Sequence, residues 1–418
     1  MPSGCWNRPV RTSSGLLALD RIIRMSQGTL LIGQSGGATA VINASLIGAV
    51  EAGLRHFARV LGMRNGMVGL LSETFVDLTD LAPEALTALR STPGSALGTS
   101  RVKLDDDQLG QAIALLQKHD VRGVVLIGGN DSADSARRLN EHTGGKIPTA
   151  LAPKTVDNDL VGTDFCPGFP SAAKFLANLV RDATWDSLSA PALYPVKLIE
   201  VPGRDAGWLP LSGALGFAEQ DNDLHPLVFL PEAPPASAEA MLSALTDRIE
   251  THGFAVAIVP ETLRDASGNH LGGNEPEYID PFGHPYFPSA GEGLARQLRA
   301  SAGIRARVER PGSATRMSIS LVSPIDQSLA YLSGRAAVHS IVQGQGGVMA
   351  ALERDASLHP GFTTRYVDLA EVANRVRSLP QAYFDNRKLA PTDAFAVYAL
   401  PLLGPDPFPP YARLDPAS

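Results

Sequence analysis

Two short strings hold the residues best suited to chemistry: Gly128-Gly129-Asn130-Asp131-Ser132 and Pro153-Lys154-Thr155-Val156-Asp157-Asn158-Asp159. Each follows an apolar run that reads as a buried strand, Val124-Val125-Leu126-Ile127 in the first case. Gly128 and Gly129 let backbone N–H groups approach an anion where the next helix begins. The second string adds one cation and two carboxylates. That mixture suits Mg2+-assisted phosphoryl transfer, in which a base deprotonates an alcohol while cations neutralise the charge on the moving group. Purely structural loops rarely need all three components together.

Further segments repeat the theme. Thr29-Leu30-Leu31-Ile32 runs into Gly33-Gln34-Ser35-Gly36-Gly37, and Val41, Ile42, Ser45, Leu46, Ala49, Val50 and Leu54 then recur near helical spacing. This strand-to-helix turn offers N–H groups to a phosphate, although alone it is equally a packing turn. It lacks the G-x-G-x-x-G pattern, and no well-placed acidic residue follows a second strand, so a nicotinamide enzyme is disfavoured. Gly98-Thr99-Ser100-Arg101-Val102-Lys103, Gly203-Arg204-Asp205-Ala206-Gly207-Trp208, Pro260-Glu261, and the basic stretch with Arg305, Arg307, Arg310 and Arg316 complete the set. Guanidinium groups fork onto phosphate oxygens, and a Glu accepts hydroxyl hydrogen bonds, so these segments suit a sugar phosphate.

The elements that must position these residues alternate along the chain. A helix is expected near Asp106–His119, a strand over Val121–Ile127, a helix from Ser132 and a strand over Ile147–Ala152. The alternation resumes with Val196–Val201, a helix after Pro210, Leu227–Leu230, a helix after Ser237 and Phe254–Val259. Pro231–Pro235 and Gly268–Pro288 read as loops, the second long enough to be an insertion. A long helix through Asp326–Val338 is expected to stop at Gly344–Gly347.

At 418 residues the chain exceeds what one core usually organises, so two domains are expected. Hydrophobic residues at 44% and charged residues at 19% fit neither a disordered chain nor a membrane protein. A formal net charge of −7 disfavours general nucleic-acid binding and points to metabolites as partners. Cys5 and Cys166 are the only cysteines, too few for a disulfide framework, which suits a reducing cytoplasm. Residues 1–25 read as a poorly ordered extension without signal-peptide character, and Met25 is a candidate original start.

Taken in order, Ser35-Gly36-Gly37, Gly98–Arg101, the Gly128–Ser132 and Pro153–Asp159 strings, Pro202–Trp208, Pro260-Glu261 and Pro311–Arg316 resemble the phosphofructokinase family over most of the chain after Met25. Asp131 and Lys154 resemble its pyrophosphate-dependent branch, since ATP-dependent members usually carry Gly at both positions. The resemblance implies two doubly wound, Rossmann-like α/β domains with the active site between them. Residues 26–168 plus 315–375 would form the phosphoryl-donor domain, and 169–314 plus 376–418 the sugar-phosphate domain.

It also implies roles. Asp157 would be the general base for the 1-hydroxyl of fructose 6-phosphate, while Lys154 and Asp131 would select pyrophosphate over ATP. Gly37, Arg101 and Gly129 would bind the donor, and Asn130 and Asp159 would hold Mg2+. Thr155, Val156, Pro202, Gly203, Arg204, Glu261, Ser313 and Arg316 would contact the sugar phosphate. Arg307 would complete a neighbouring subunit's site in a homodimer or homotetramer. Pro202 replaces the family's usual Met, Ser313 its usual His or Tyr, and Asn130 an Asp that ligates Mg2+ in many members. Two alternatives therefore stay open: another acceptor such as sedoheptulose 7-phosphate, and a non-catalytic sugar-phosphate-binding subunit.

Overall fold

The computed structural model describes residues 28–203, 205–217, 223–280, 283, 285–358 and 361–413. The N-terminal extension, Met25 and Arg204 lie outside them. The described strands are β1 (Thr29–Gln34), β2 (Arg59–Met63), β3 (Phe75–Asp77), β4 (Val121–Gly128), β5 (Thr149–Pro153), β6 (Val196–Val201), β7 (Leu227–Val228), β8 (Ala255–Pro260), β9 (Tyr278–Ile279), β10 (Pro285–Tyr286), β11 (Ala306–Glu309), β12 (Val348–Arg354) and β13 (Phe362–Asp368), with a short hairpin at 384–391.

A seven-stranded sheet runs in the order β13-β12-β5-β4-β1-β2-β3. Its interior is parallel, and β3 and β13 add antiparallel edges. Because helices cover both faces, the inner strands read as continuous apolar runs whose alternate residues enter different cores. Leu30, Ile32, Val125, Ile127, Ala150 and Ala152 pack with the Ile42–His56 and Pro324–Val342 helices. Leu31, Val124, Leu126 and Leu151 pack on the opposite face with Leu109, Leu116, Ala133 and Leu139.

Two glycines set the spacing of the first layer. A Cβ on Gly48 would lie 2.0 Å from the Tyr331 carbonyl oxygen, and one on Gly334 would lie 2.0 Å from that of Ser45. The Ile42–His56 and Pro324–Val342 helices thus meet backbone to backbone, which only glycine permits at these positions.

A second sheet, all parallel, has the order β11-β6-β8-β7. Ile199, Val201, Val228, Val256 and Ile258 face the Phe169–Ser189 helix and the C-terminal residues Phe395, Leu402 and Leu403. Val196, Leu198, Ala255, Ala257 and Val259 face the Ala238–His252 and Ala290–Ala302 helices. Among the described residues no helix is long and apolar enough to cross a membrane.

Several sequence expectations change in detail. The helix after the first glycine string starts at Asn130, not Ser132. The 21-residue Phe169–Ser189 helix and the β12–β13 hairpin were not anticipated, and the 268–288 loop contains the β9–β10 hairpin.

Candidate active site

β1 has β2 on one side and β4 on the other, so the chain reverses direction across the sheet here. Such a switch point opens a crevice at the carboxyl ends of the strands, and the strings after β1, β4 and β5 all emerge there. Ser35 N–H donates to the Ile127 carbonyl at 3.0 Å, and Lys154 N–H to that of Gly128 at 2.9 Å, tying the three exits together. Gly128 is forced by the tight exit of β4, because a Cβ would lie 2.0 Å from Ser132 Oγ. Gly129 then caps the Asn130–His142 helix, whose first turn carries Asp131. Gly36, at φ +74°, turns the chain after β1 in a conformation that favours glycine.

Lys154 is the electrostatic centre. Its side chain is buried, and Nζ donates to the Gly37 carbonyl at 2.7 Å. Burial pushes its ammonium down from 10.5 to about 8; Asp157 and Asp159 pull it back up, while Arg316 and Arg101 add to the fall. Arg316 is lowered in turn by burial and then by Arg101, and its guanidinium donates to the Ala38 carbonyl at 2.6 Å. Lys154, Arg101 and Arg316 therefore gather around the turn after β1. Cations that depress one another's proton affinity are relieved by a polyanion.

Arg101 already has partners across the cleft. It donates to Asp280 at 2.5 Å and to the Tyr286 hydroxyl, so the β9–β10 hairpin reaches it from the second sheet's side. Asp157 N–H donates to Thr155 Oγ1 at 3.1 Å, and Thr155 N–H to the Pro167 carbonyl at 3.2 Å, fixing the turn that carries Asp157.

On the second sheet, Pro202 and Gly203 follow β6 and Glu261 follows β8. Glu261 N–H donates to the Val201 carbonyl at 2.9 Å, bringing the two exits together. Gly203 has φ +150° and sits against Pro210 and the Ala206 carbonyl. Ser313 is exposed and precedes the short Ala314–Met317 helix that carries Arg316. Arg307 lies on the edge strand β11, exposed, with its guanidinium 4.4 Å over the Tyr194 ring.

Two expected site residues have ties within the chain. Val156 places its side chain in the apolar core with Phe165 and Phe169, which leaves its backbone for a substrate contact. The Asn130 amide is engaged by a distant segment. Its Oδ1 accepts from Asn374 N–H at 2.7 Å and its Nδ2 donates to the Arg375 carbonyl at 2.5 Å, bracing the C-terminal segment. Among the described residues no group of three His, Cys, Asp or Glu side chains converges as a metal cage. Asp131 and Asp159 follow the adjacent strands β4 and β5, and Mg2+ keeps several waters and needs only one or two carboxylates besides substrate phosphates.

Sequence reasoning assigned no role to Asn158, Trp208, Arg377 or Tyr398. Asn158 is buried at φ +57°; its amide donates to the Tyr398 hydroxyl at 2.8 Å and accepts from Cys166 N–H at 2.9 Å. The left-handed turn between two acids was a usable signal, since Asn tolerates that region. Arg377 and Tyr398 gave none, because their partners are distant in the chain.

Comparisons with known proteins agree with this architecture. The family model described as Phosphofructokinase matches residues 29–341. The chain is 34% identical over 401 residues to the pyrophosphate--fructose 6-phosphate 1-phosphotransferase of Halomonas elongata, covering 93% of this chain and 94% of that one. It is 33% identical to the protein of the same name from Xanthomonas campestris, covering 93% and 97%. The crystal structure of the pyrophosphate-dependent phosphofructokinase of Nitrosospira multiformis superposes with a TM-score of 0.81 at 30% identity, covering 92% of this chain and 94% of that one. With its glycine turns, buried lysine and acidic loop set at one sheet's switch point, the chain belongs to the phosphofructokinase family.

Proposed function

We propose that this chain transfers a phosphoryl group reversibly from pyrophosphate to the 1-hydroxyl of fructose 6-phosphate, giving fructose 1,6-bisphosphate and phosphate. The observation that carries this reading is the buried Lys154 held between the Gly36-Gly37 turn and the Asp157 loop, with Arg101 and Arg316 beside it. The names of the full-length relatives point to the same donor and acceptor.

Asp157 takes the proton of the sugar 1-hydroxyl as that oxygen bonds to the terminal phosphorus. The bridging P–O bond breaks, and phosphate leaves with the bonding electron pair. Lys154, Arg101 and Arg316 neutralise charge on the donor throughout the transfer. Asp131 puts a carboxylate where a nucleotide's α-phosphate would sit, so repulsion excludes ATP. Mg2+, held by Asp159 with Asp131, would supply further positive charge to the phosphate oxygens.

The donor side falls to 26–168 plus 315–375, and the sugar side to 169–314 plus 376–418. Gly203, Arg204 and Glu261 bind the sugar phosphate there. Exposed Arg307 on an edge strand suits completion of a neighbouring subunit's site, and hence a homodimer or homotetramer, while a chain with only two cysteines suits the cytoplasm.

A donor-by-acceptor activity matrix with Mg2+ tests this function. Pyrophosphate with fructose 6-phosphate is expected to exceed ATP, and to exceed sedoheptulose 7-phosphate as acceptor. Asp157→Ala is expected to lose about 1,000-fold or more in turnover while remaining folded. Efficient use of ATP with no use of pyrophosphate would remove the roles of Lys154 and Asp131, and an active Asp157→Ala would remove the base.

A further inference from the structure

The six residues 374–379 cross from the first sheet's side to the second and tie together the Asn130 turn, the Asp157–Asp159 loop and the Pro202–Trp208 loop. Asn374 and Arg375 bond the Asn130 amide at the head of the donor-side helix. Arg377 N–H donates to the Asp159 carbonyl at 2.7 Å. Its Nε and Nη2 both donate to the Asn158 carbonyl, at 3.1 and 2.9 Å, and its Nη1 to the carbonyls of Thr163 and Asp164, each at 2.6 Å. The same guanidinium lies 4.2 Å over the Trp208 ring, and Trp208 Nε1 donates to the Arg377 carbonyl at 3.0 Å. Leu379 N–H and Gly207 N–H share Glu232 Oε1, at 2.9 and 3.0 Å, which ties the strap to the Pro202–Trp208 loop a second time.

This arrangement is more than packing. The fork spreads its donors over Nε, Nη1 and Nη2 to reach carbonyls on both sides of the guanidinium, whereas a lysine offers its three donors from a single nitrogen and cannot span them. Two of the residues it grips, Asn158 and Asp159, immediately follow Asp157, and Asn158 is held at φ +57°. Asn tolerates that conformation, and two groups from outside the loop hold it there: the Arg377 guanidinium on the Asn158 carbonyl and the Tyr398 hydroxyl on the Asn158 amide.

We propose that Arg377 is a positioning residue: through the Asn158 and Asp159 backbone it sets the direction of Asp157, and through Trp208 it couples that direction to the loop carrying Gly203. The proposal rests on Asp157 acting as the base. Without the Arg377 side chain the Asn158 and Thr163 carbonyls lose its N–H donors, Asp164 keeps only the Tyr398 hydroxyl at 2.8 Å, and the turn that aims Asp157 relaxes. The sugar-binding and donor-binding groups stay in place.

The test compares Arg377→Ala and Arg377→Lys with the unaltered chain, reading kcat, both KM values, the unfolding midpoint and rescue by millimolar guanidinium chloride against a sodium chloride control. Arg377→Ala is expected to lose about 30- to 300-fold in kcat with each KM changed less than about threefold, and guanidinium to restore at least about fivefold of that loss. Arg377→Lys is expected to lose kcat while staying folded at the assay temperature with a lowered unfolding midpoint, so it decides the matter even if the alanine variant does not fold. In a Trp6→Phe, Trp185→Phe background, Trp208 emission is expected to respond to fructose 6-phosphate and to stop responding in either variant. A kcat within threefold of normal, or a loss that guanidinium leaves untouched, overturns the proposal. Inactive Asp157→Ala beside fully active Arg377→Ala sinks this inference alone, whereas active Asp157→Ala sinks the reading beneath it.

Discussion

Replacing Lys154 with Met tests whether the site keeps a buried charge for its ligand at the expense of stability. The ammonium falls from an ordinary 10.5 to about 8, chiefly through burial. At about 1.36 kcal/mol per pH unit, the charged form carries a penalty of about 3 kcal/mol in the folded chain at neutral pH. Methionine removes that penalty but forfeits the hydrogen bond to the Gly37 carbonyl, worth about 1 kcal/mol. The ligand-free variant is therefore expected to be more stable than the natural chain by about 2 kcal/mol near pH 7. The sign of the pH dependence follows from proton counting. Between about 8 and 10.5 the unfolded chain holds this proton and the folded chain does not, so the natural protein gains stability with rising pH while the variant does not. Urea unfolding at about pH 7 and about pH 9.5, at one protein concentration, measures the gap and its closing. Pyrophosphate is expected to raise the unfolding midpoint of the natural chain and leave the variant unmoved. A variant less stable at neutral pH, or a gap that does not narrow in alkali, would refute the electrostatic account.

Two other perturbations probe the scaffold. Burial pushes the Cys166 thiol up to about 12, so in a Cys5→Ser background it is expected to react with a thiol reagent at pH 8 only after unfolding; rapid stoichiometric labelling of the native chain would contradict its enclosure. Gly48→Ala places a methyl group 2.0 Å from the Tyr331 carbonyl oxygen and is expected to lower stability by about 3 kcal/mol in denaturant titration, despite alanine's better helix propensity; a rise would show that the helices do not meet there.

The chemistry-bearing strings were legible because their residues are dense in function and each follows an uninterrupted apolar strand. β4 and β5 could be found from composition alone, since both of their faces are buried. The Phe169–Ser189 helix also left a signal: Phe169, Ala172, Ala173, Leu176, Ala177 and Val180 recur at helical spacing and are buried, and Pro170 sits in the first turn, where proline is tolerated. Asn130 shows where reading fails. An amide at the start of a helix can bind a cation or brace a distant turn, and nothing nearby distinguishes the two. Its partners lie 244 and 245 residues away. Arg377 was invisible for the same reason, because the Asn158 carbonyl it grips is 219 residues distant. Long-range ties between loops depend on how the sheets face one another, which no local pattern encodes.

The bridge from Arg101 to Asp280 and Tyr286 has a consequence for how a donor arrives. This guanidinium, on the first sheet's side of the cleft, already holds a carboxylate carried by the second sheet's hairpin. On the proposed donor-binding role of Arg101, a phosphate that claims it exchanges one anion for another, so the observed affinity would measure a difference between two attractions. Because the outgoing anion belongs to the opposite wall, loading the donor and loosening the two walls would then be a single event.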